Sequence, residues 1–143
     1  MPRHVLLVLA GVAILAAGCG DRKELPFDPT TGVPDPTATF VRVQGEVLTP
    51  SCALAGCHAG AAPASGLDLS LARSYASLVR VASSQRSDLN RVEPGDAERS
   101  YLVKKIRGDA DVTGSRMPLG GSPLSAAQIK LVTDWVRRGA PRD

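Results

Sequence analysis

Four stretches of the chain carry apolar residues at helical intervals, and none alternates as a half-buried strand would. The clearest follows Ser125-Ala126-Ala127-Gln128, whose serine and glutamine stand where a capping box requires them. Ile129, Val132, Trp135 and Val136 then share one face, and Gly139 with Pro141 marks the stop. An earlier stretch over 39–48 has Thr39 as its cap, Phe40, Val43 and Val47 on one side, and Pro50 beyond its end. A third follows Ser70, placing Leu71, Tyr75, Leu78 and Val79 at i, i+4, i+7 and i+8. The remaining one is opened by Asp96 behind the turn Pro94-Gly95. It brings Leu102 and Ile106 to a common face and runs to Arg107, with Gly108 past its end. The pattern predicts an all-α domain of about four helices over 38–143.

Ahead of that domain the patterning is lost. Pro26, Pro29, Pro34 and Pro36 are scattered among polar residues, which reads as an extended tether over 19–37. At about 3.1 Å per residue such a segment reaches roughly 50 Å. Residues 1–18 read as a leader: Arg3 and His4, then an apolar run over 5–17 that is shorter than a membrane-spanning helix. Its end, Leu15-Ala16-Ala17-Gly18-Cys19, resembles a lipoprotein signal, in which the cysteine is acylated and becomes the new N-terminus. Ala16 stands where the strongest form of that signal has leucine. The alternative is ordinary cleavage near Ala17, leaving Cys19 a free thiol. Either way the domain is exported, and the expected location is a bacterial membrane surface, facing the periplasm or the cell exterior.

Chemistry concentrates in Cys52-Ala53-Leu54-Ala55-Gly56-Cys57-His58. Two thiols followed at once by an imidazole are the pattern that attaches haem covalently, the cysteines as thioethers and the histidine as proximal iron ligand. The usual spacer is two residues; here it is four. Once the leader is gone, His58 is the sole histidine and Met117 the sole methionine. A bis-histidine site within one chain is therefore impossible, and Met117 is the remaining soft ligand. Other readings stay open. Cys52 and Cys57 could form a disulfide, or bind zinc with His58, although a structural zinc wants four ligands. Met117 could be core filler, leaving the sixth position open.

Five aromatic residues, Phe27, Phe40, Tyr75, Tyr101 and Trp135, make a thin core for a domain of this size. A bound porphyrin would supply the missing apolar body. The net charge of +3 includes Arg3 in the leader, and no basic block argues for nucleic acid.

These residues resemble class I mono-haem c-type cytochromes, in particular the planctomycete-type cytochrome c, over roughly 40–140. The haem motif comes first, followed by Gly66-Leu67-Asp68-Leu69, Arg91-Val92-Glu93-Pro94-Gly95 and Ser100-Tyr101-Leu102 with Lys105-Ile106. Arg116-Met117-Pro118, Pro123-Leu124-Ser125 and Asp134-Trp135-Val136 complete the series. The resemblance implies a cytochrome c-like fold around one haem c, in which the opening and closing helices cross and Phe40 and Val43 pack on Trp135. The expected function is a membrane-tethered carrier of single electrons rather than an enzyme, with His58 and Met117 on the iron and unidentified redox proteins as partners. Membrane lipid would be held through Cys19. The rivals are a haem enzyme or gas sensor with an open sixth position, and a disulfide-containing structural lipoprotein without cofactor. Lys104, Lys105 and Arg107 read either as a docking patch or as a solvated helix end. Arg91 and Arg116 are candidate partners for the propionates, and Pro63 for the second ring nitrogen of His58.

Overall fold

The computed structural model describes Met1 and residues 32–143. The expected leader, Cys19 and most of the expected tether lie outside the described residues. Val33–Asp143 forms one compact unit. Its regular structure is helical: α1 over 40–51, α2 (Ser74–Leu78), α3 (Tyr101–Arg107) and α4 (Ala126–Arg137), with a 3-10 turn at Ala64–Gly66. Among the described residues strand pairing is limited to isolated bridges. None of the described helices is long and apolar enough to cross a membrane.

α1 is composite: α-helical over Phe40–Val43, π-helical over Gln44–Leu48 and α-helical again over Thr49–Ser51. Thr39 caps it as expected, its side chain accepting the Arg42 amide at 3.3 Å. Pro50, expected beyond the end, lies in the last turn. An amide at that position would serve the Glu46 carbonyl, which instead accepts Gln128 Nε2 of α4 at 3.1 Å. The other orphan amides of the first turn, Phe40 and Val41, are satisfied by the Asp143 side chain at 2.9 Å and backbone carbonyl at 3.1 Å.

α2 is shorter than the apolar stripe implied. Asp68 accepts the Ser70 amide, and the Ser70 carbonyl takes the Arg73 and Ser74 amides. These local bonds hold 70–73 in a turn, so the helix begins only at Ser74. Leu71 is thereby left 80% exposed instead of joining Leu78 in the core. α3 likewise starts late. The Asp96 carboxylate caps its own turn, accepting the Glu98 and Arg99 amides at 3.0 Å each. The buried Ser100 hydroxyl bonds the Asp96 carbonyl at 2.7 Å and so separates that turn from the helix. Gly108 ends α3 in the left-handed conformation at φ 79°.

α4 forms as patterned, with both halves of the Ser125–Gln128 capping box made. Val132, Trp135 and Val136 are fully buried. Phe40 of α1 packs on Trp135 with ring centroids 5.3 Å apart and meets Tyr75 of α2 edge-on at 5.1 Å. Val43, Val47, Leu48, Leu69, Leu78, Val92, Val103 and Ile106 complete one continuous core.

Candidate functional site

α1 delivers the first cysteine. Cys52 caps its C-terminal end, with its amide on the Leu48 carbonyl at 3.0 Å. The chain then turns back through Leu54-Ala55-Gly56-Cys57, where the Cys57 amide bonds the Leu54 carbonyl at 3.0 Å. Gly56 holds φ 80° in the third position of that turn, as a type II turn demands. The His58 amide closes the loop on the Cys52 carbonyl at 3.2 Å. The two residues beyond the usual spacer are thus absorbed in a tight turn, and both cysteines and the imidazole line one cavity.

Cys52 is buried and Cys57 exposed, and both are free thiols. Burial, followed by the neighbouring Cys57, pushes the Cys52 thiol up to about 11. The Nδ1 of His58 lies 3.2 Å from the Ala64 carbonyl. The acceptor is therefore Ala64 and not Pro63, whose carbonyl is occupied by the Gly66 amide at 3.0 Å. This placement suits a proton on Nδ1 and leaves Nε2 with a free lone pair.

Met117 arrives from the opposite side of the sequence, in the irregular segment between α3 and α4. Cys52, Cys57, His58 and Met117 all line one cavity of about 550 Å³, with Leu54 and Leu119 at its edge. Not one of its lining residues is charged. A narrower arm of about 80 Å³ shares Cys52, His58 and Met117, and is walled by Leu67, Leu69, Leu78, Leu102 and Ile106. Together they form a slot with one imidazole and one thioether, in the size range of small-molecule and cofactor sites, with Ser84, Gln85, Arg91 and Lys105 on the polar side of the arm.

The basic residues fall differently from their sequence reading. Lys104, Lys105 and Arg107 do not form a free solvated end. Lys104 pairs with Asp109 and Asp111, and Arg107 with Glu98 and Asp109. Lys105 is buried, with its ammonium on the Thr113 and Ser115 carbonyls at 2.9 and 2.6 Å. Arg116 is no cavity residue: its Nε bonds the Ile106 carbonyl at 2.9 Å and its stem covers Gly108, where a Cβ would meet it at 2.8 Å. Arg91 does line the narrow arm, with its guanidinium on the Ser77 and Ser65 carbonyls and its pKa lowered by burial.

From sequence, Tyr101 and Lys105 had no place at this site, and the Ala64 carbonyl was not singled out. The i, i+4 spacing of Tyr101 and Lys105, beside Leu102 and Ile106, was the available signal that lysine shares the inward face. Among the described residues no group of three or more His, Cys, Asp and Glu side chains could hold a metal ion, so a closed zinc site has no ligand set. No family model, characterised protein or solved structure matches the chain.

Proposed function

We propose that this chain is a membrane-tethered c-type cytochrome carrying single electrons on one covalently held haem ligated by His58 and Met117. One observation carries the reading: a single uncharged cavity is lined by the Cys52–Cys57–His58 motif and by a methionine from a distant loop. The residues present fit the group. Cys52 and Cys57 would each add an S–H bond across a vinyl group, the sulfur bonding one carbon and the hydrogen the other. His58 offers Nε2, held in register by the Nδ1 contact to Ala64. Met117 offers a soft, neutral sulfur that favours the ferrous state. Bound there, haem supplies a one-electron ferric–ferrous couple. Leucine and isoleucine side chains of the narrow arm would pack on the porphyrin, and Arg91, which lines the same arm, would be a cation for a propionate. Acylation of Cys19 would keep the carrier at the membrane.

The test is a pyridine haemochrome spectrum of protein produced with haem-attachment machinery. Colour should survive acid–acetone extraction, with a mass one haem above the processed polypeptide. Wild type should partition with membranes and Cys19→Ser should not. Haem that washes out defeats the thioether reading. Colourless protein with a Cys52–Cys57 disulfide puts the structural lipoprotein in its place.

A further inference from the structure

We infer that Lys105 is a positioning residue for Met117: its buried ammonium clamps residues 113–117 to α3 and so sets where the methionine reaches. This rests on the haem-ligand reading and adds a residue that the reading does not require. The loop is tied at every second position. The Thr113 amide donates to the Tyr101 hydroxyl at 2.9 Å. The Lys105 ammonium donates to the Thr113 carbonyl at 2.9 Å and the Ser115 carbonyl at 2.6 Å. The Met117 amide donates to the Lys105 carbonyl at 2.9 Å.

Gly114 stands between the two clamped carbonyls with φ 70°, a conformation that turns the chain there. Thr113, Gly114 and Ser115 are exposed, so apolar packing does not hold this stretch in place. Its position depends on polar ties: this clamp, the Thr113 hydroxyl on the Gln85 carbonyl at 3.5 Å and, next to Met117, Arg116 Nε on the Ile106 carbonyl at 2.9 Å. Lys105 itself is only 6% exposed, and among the described residues no carboxylate pairs with it. A buried ammonium is tolerated only where its protons are accepted. Here the two loop carbonyls accept two of them, and the Tyr101 ring lies 6.0 Å away. The clamp and the methionine also share a wall, since Tyr101, Lys105 and Met117 all line the narrow arm. A thioether is a weak ligand, and groups that orient a ligand are commonly worth about 10- to 100-fold in metal affinity.

The experiment compares wild type, Lys105→Met, Lys105→Arg and Tyr101→Phe as holoproteins. Lys105→Met keeps the stem and removes the ammonium; Lys105→Arg keeps donors. Lys105→Met should retain covalent haem at wild-type stoichiometry yet bind carbon monoxide about tenfold faster or more when reduced. Its ferric far-red charge-transfer band should weaken. Lys105→Arg should restore most of both, and Tyr101→Phe should move in the same direction by less. In the carbon monoxide complexes, where the sixth ligand is common to all, the Met117 amide should exchange hydrogen faster in Lys105→Met and Tyr101→Phe. Should Lys105→Met not accumulate, Tyr101→Phe decides: wild-type binding rate and amide exchange there overturn the clamp. A Lys105→Met protein with wild-type band and rate overturns it too, leaving His58/Met117 ligation standing. A wild type that lacks the band and binds carbon monoxide fast overturns the ligation, and the clamp with it.

Discussion

Met117 is the residue on which the proposed electron carrier separates from an open haem site. Met117→Ala should lower the reduction potential, abolish the far-red band and admit carbon monoxide readily, because the soft sulfur that stabilises ferrous iron is gone. Met117→His should keep the colour and give a low-potential bis-histidine site. Spectroelectrochemistry with carbon monoxide titration checks both variants against wild type, and a wild type indistinguishable from Met117→Ala makes Met117 packing. At this scale the sequence was most informative where the chemistry is rare. A thiol pair beside an imidazole, with a single methionine left over, needs no fold to be noticed. The Ala64 carbonyl and the Lys105 clamp were not legible in the same way. Backbone acceptors have no sequence signature, and a lysine near a helix end reads as solvated until the loop that covers it is known.

The elements divide according to how much local chemistry competes with the apolar pattern. α4 was readable because cap, stripe and stop agree. α2 and the start of α3 were overextended because Asp68, Ser70, Asp96 and Ser100 offer the backbone side-chain or turn bonds in place of helical ones. The π turn in α1 was not foreseeable from periodicity, which the buried positions Phe40, Val43, Val47 and Leu48 satisfy equally well as plain α-helix. Gln128 links the two best elements: its Oε1 closes the capping box while its Nε2 holds the Glu46 carbonyl in the π turn. Ser125→Ala should therefore cost about 1 kcal/mol, as cap losses do. Gln128→Ala should cost about 0.5 kcal/mol more, the low end for one hydrogen bond, because the exposed Glu46 carbonyl it leaves can take water. Urea denaturation of the holoprotein measures both, and equal losses would show that the tie to α1 contributes nothing.

For the whole molecule, the core and the cavity are one problem. Cys52 belongs to the apolar core and also lines the slot, and Leu69, Leu78 and Ile106 do the same. Leu69, Leu78 and Ile106 are at most 1% exposed as they stand, so a group filling the slot would add packing contacts to side chains already buried. Replacing both Cys52 and Cys57 by alanine should accordingly yield a chain with retained helical circular dichroism and a broad, weakly cooperative thermal transition. A sharp wild-type transition in that variant would show that the core stands without its cofactor.

The two ends of the compact unit meet at the start of α1. The Asp35 amide bonds the Asp134 carboxylate at 3.2 Å, Arg138 holds the Ala38 carbonyl at 2.6 Å, and Asp143 holds the first amides of the helix. Mechanically this is a shackle. Tension applied along the chain ahead of Val33 is borne first by α4 and the crossing of Phe40 on Trp135. The turn carrying the thiols and the loop carrying Met117 both lie past that point, off the line of force. In the proposed tethered carrier, a pull on the N-terminal side would load the joint of α1 with α4 before it reached the site.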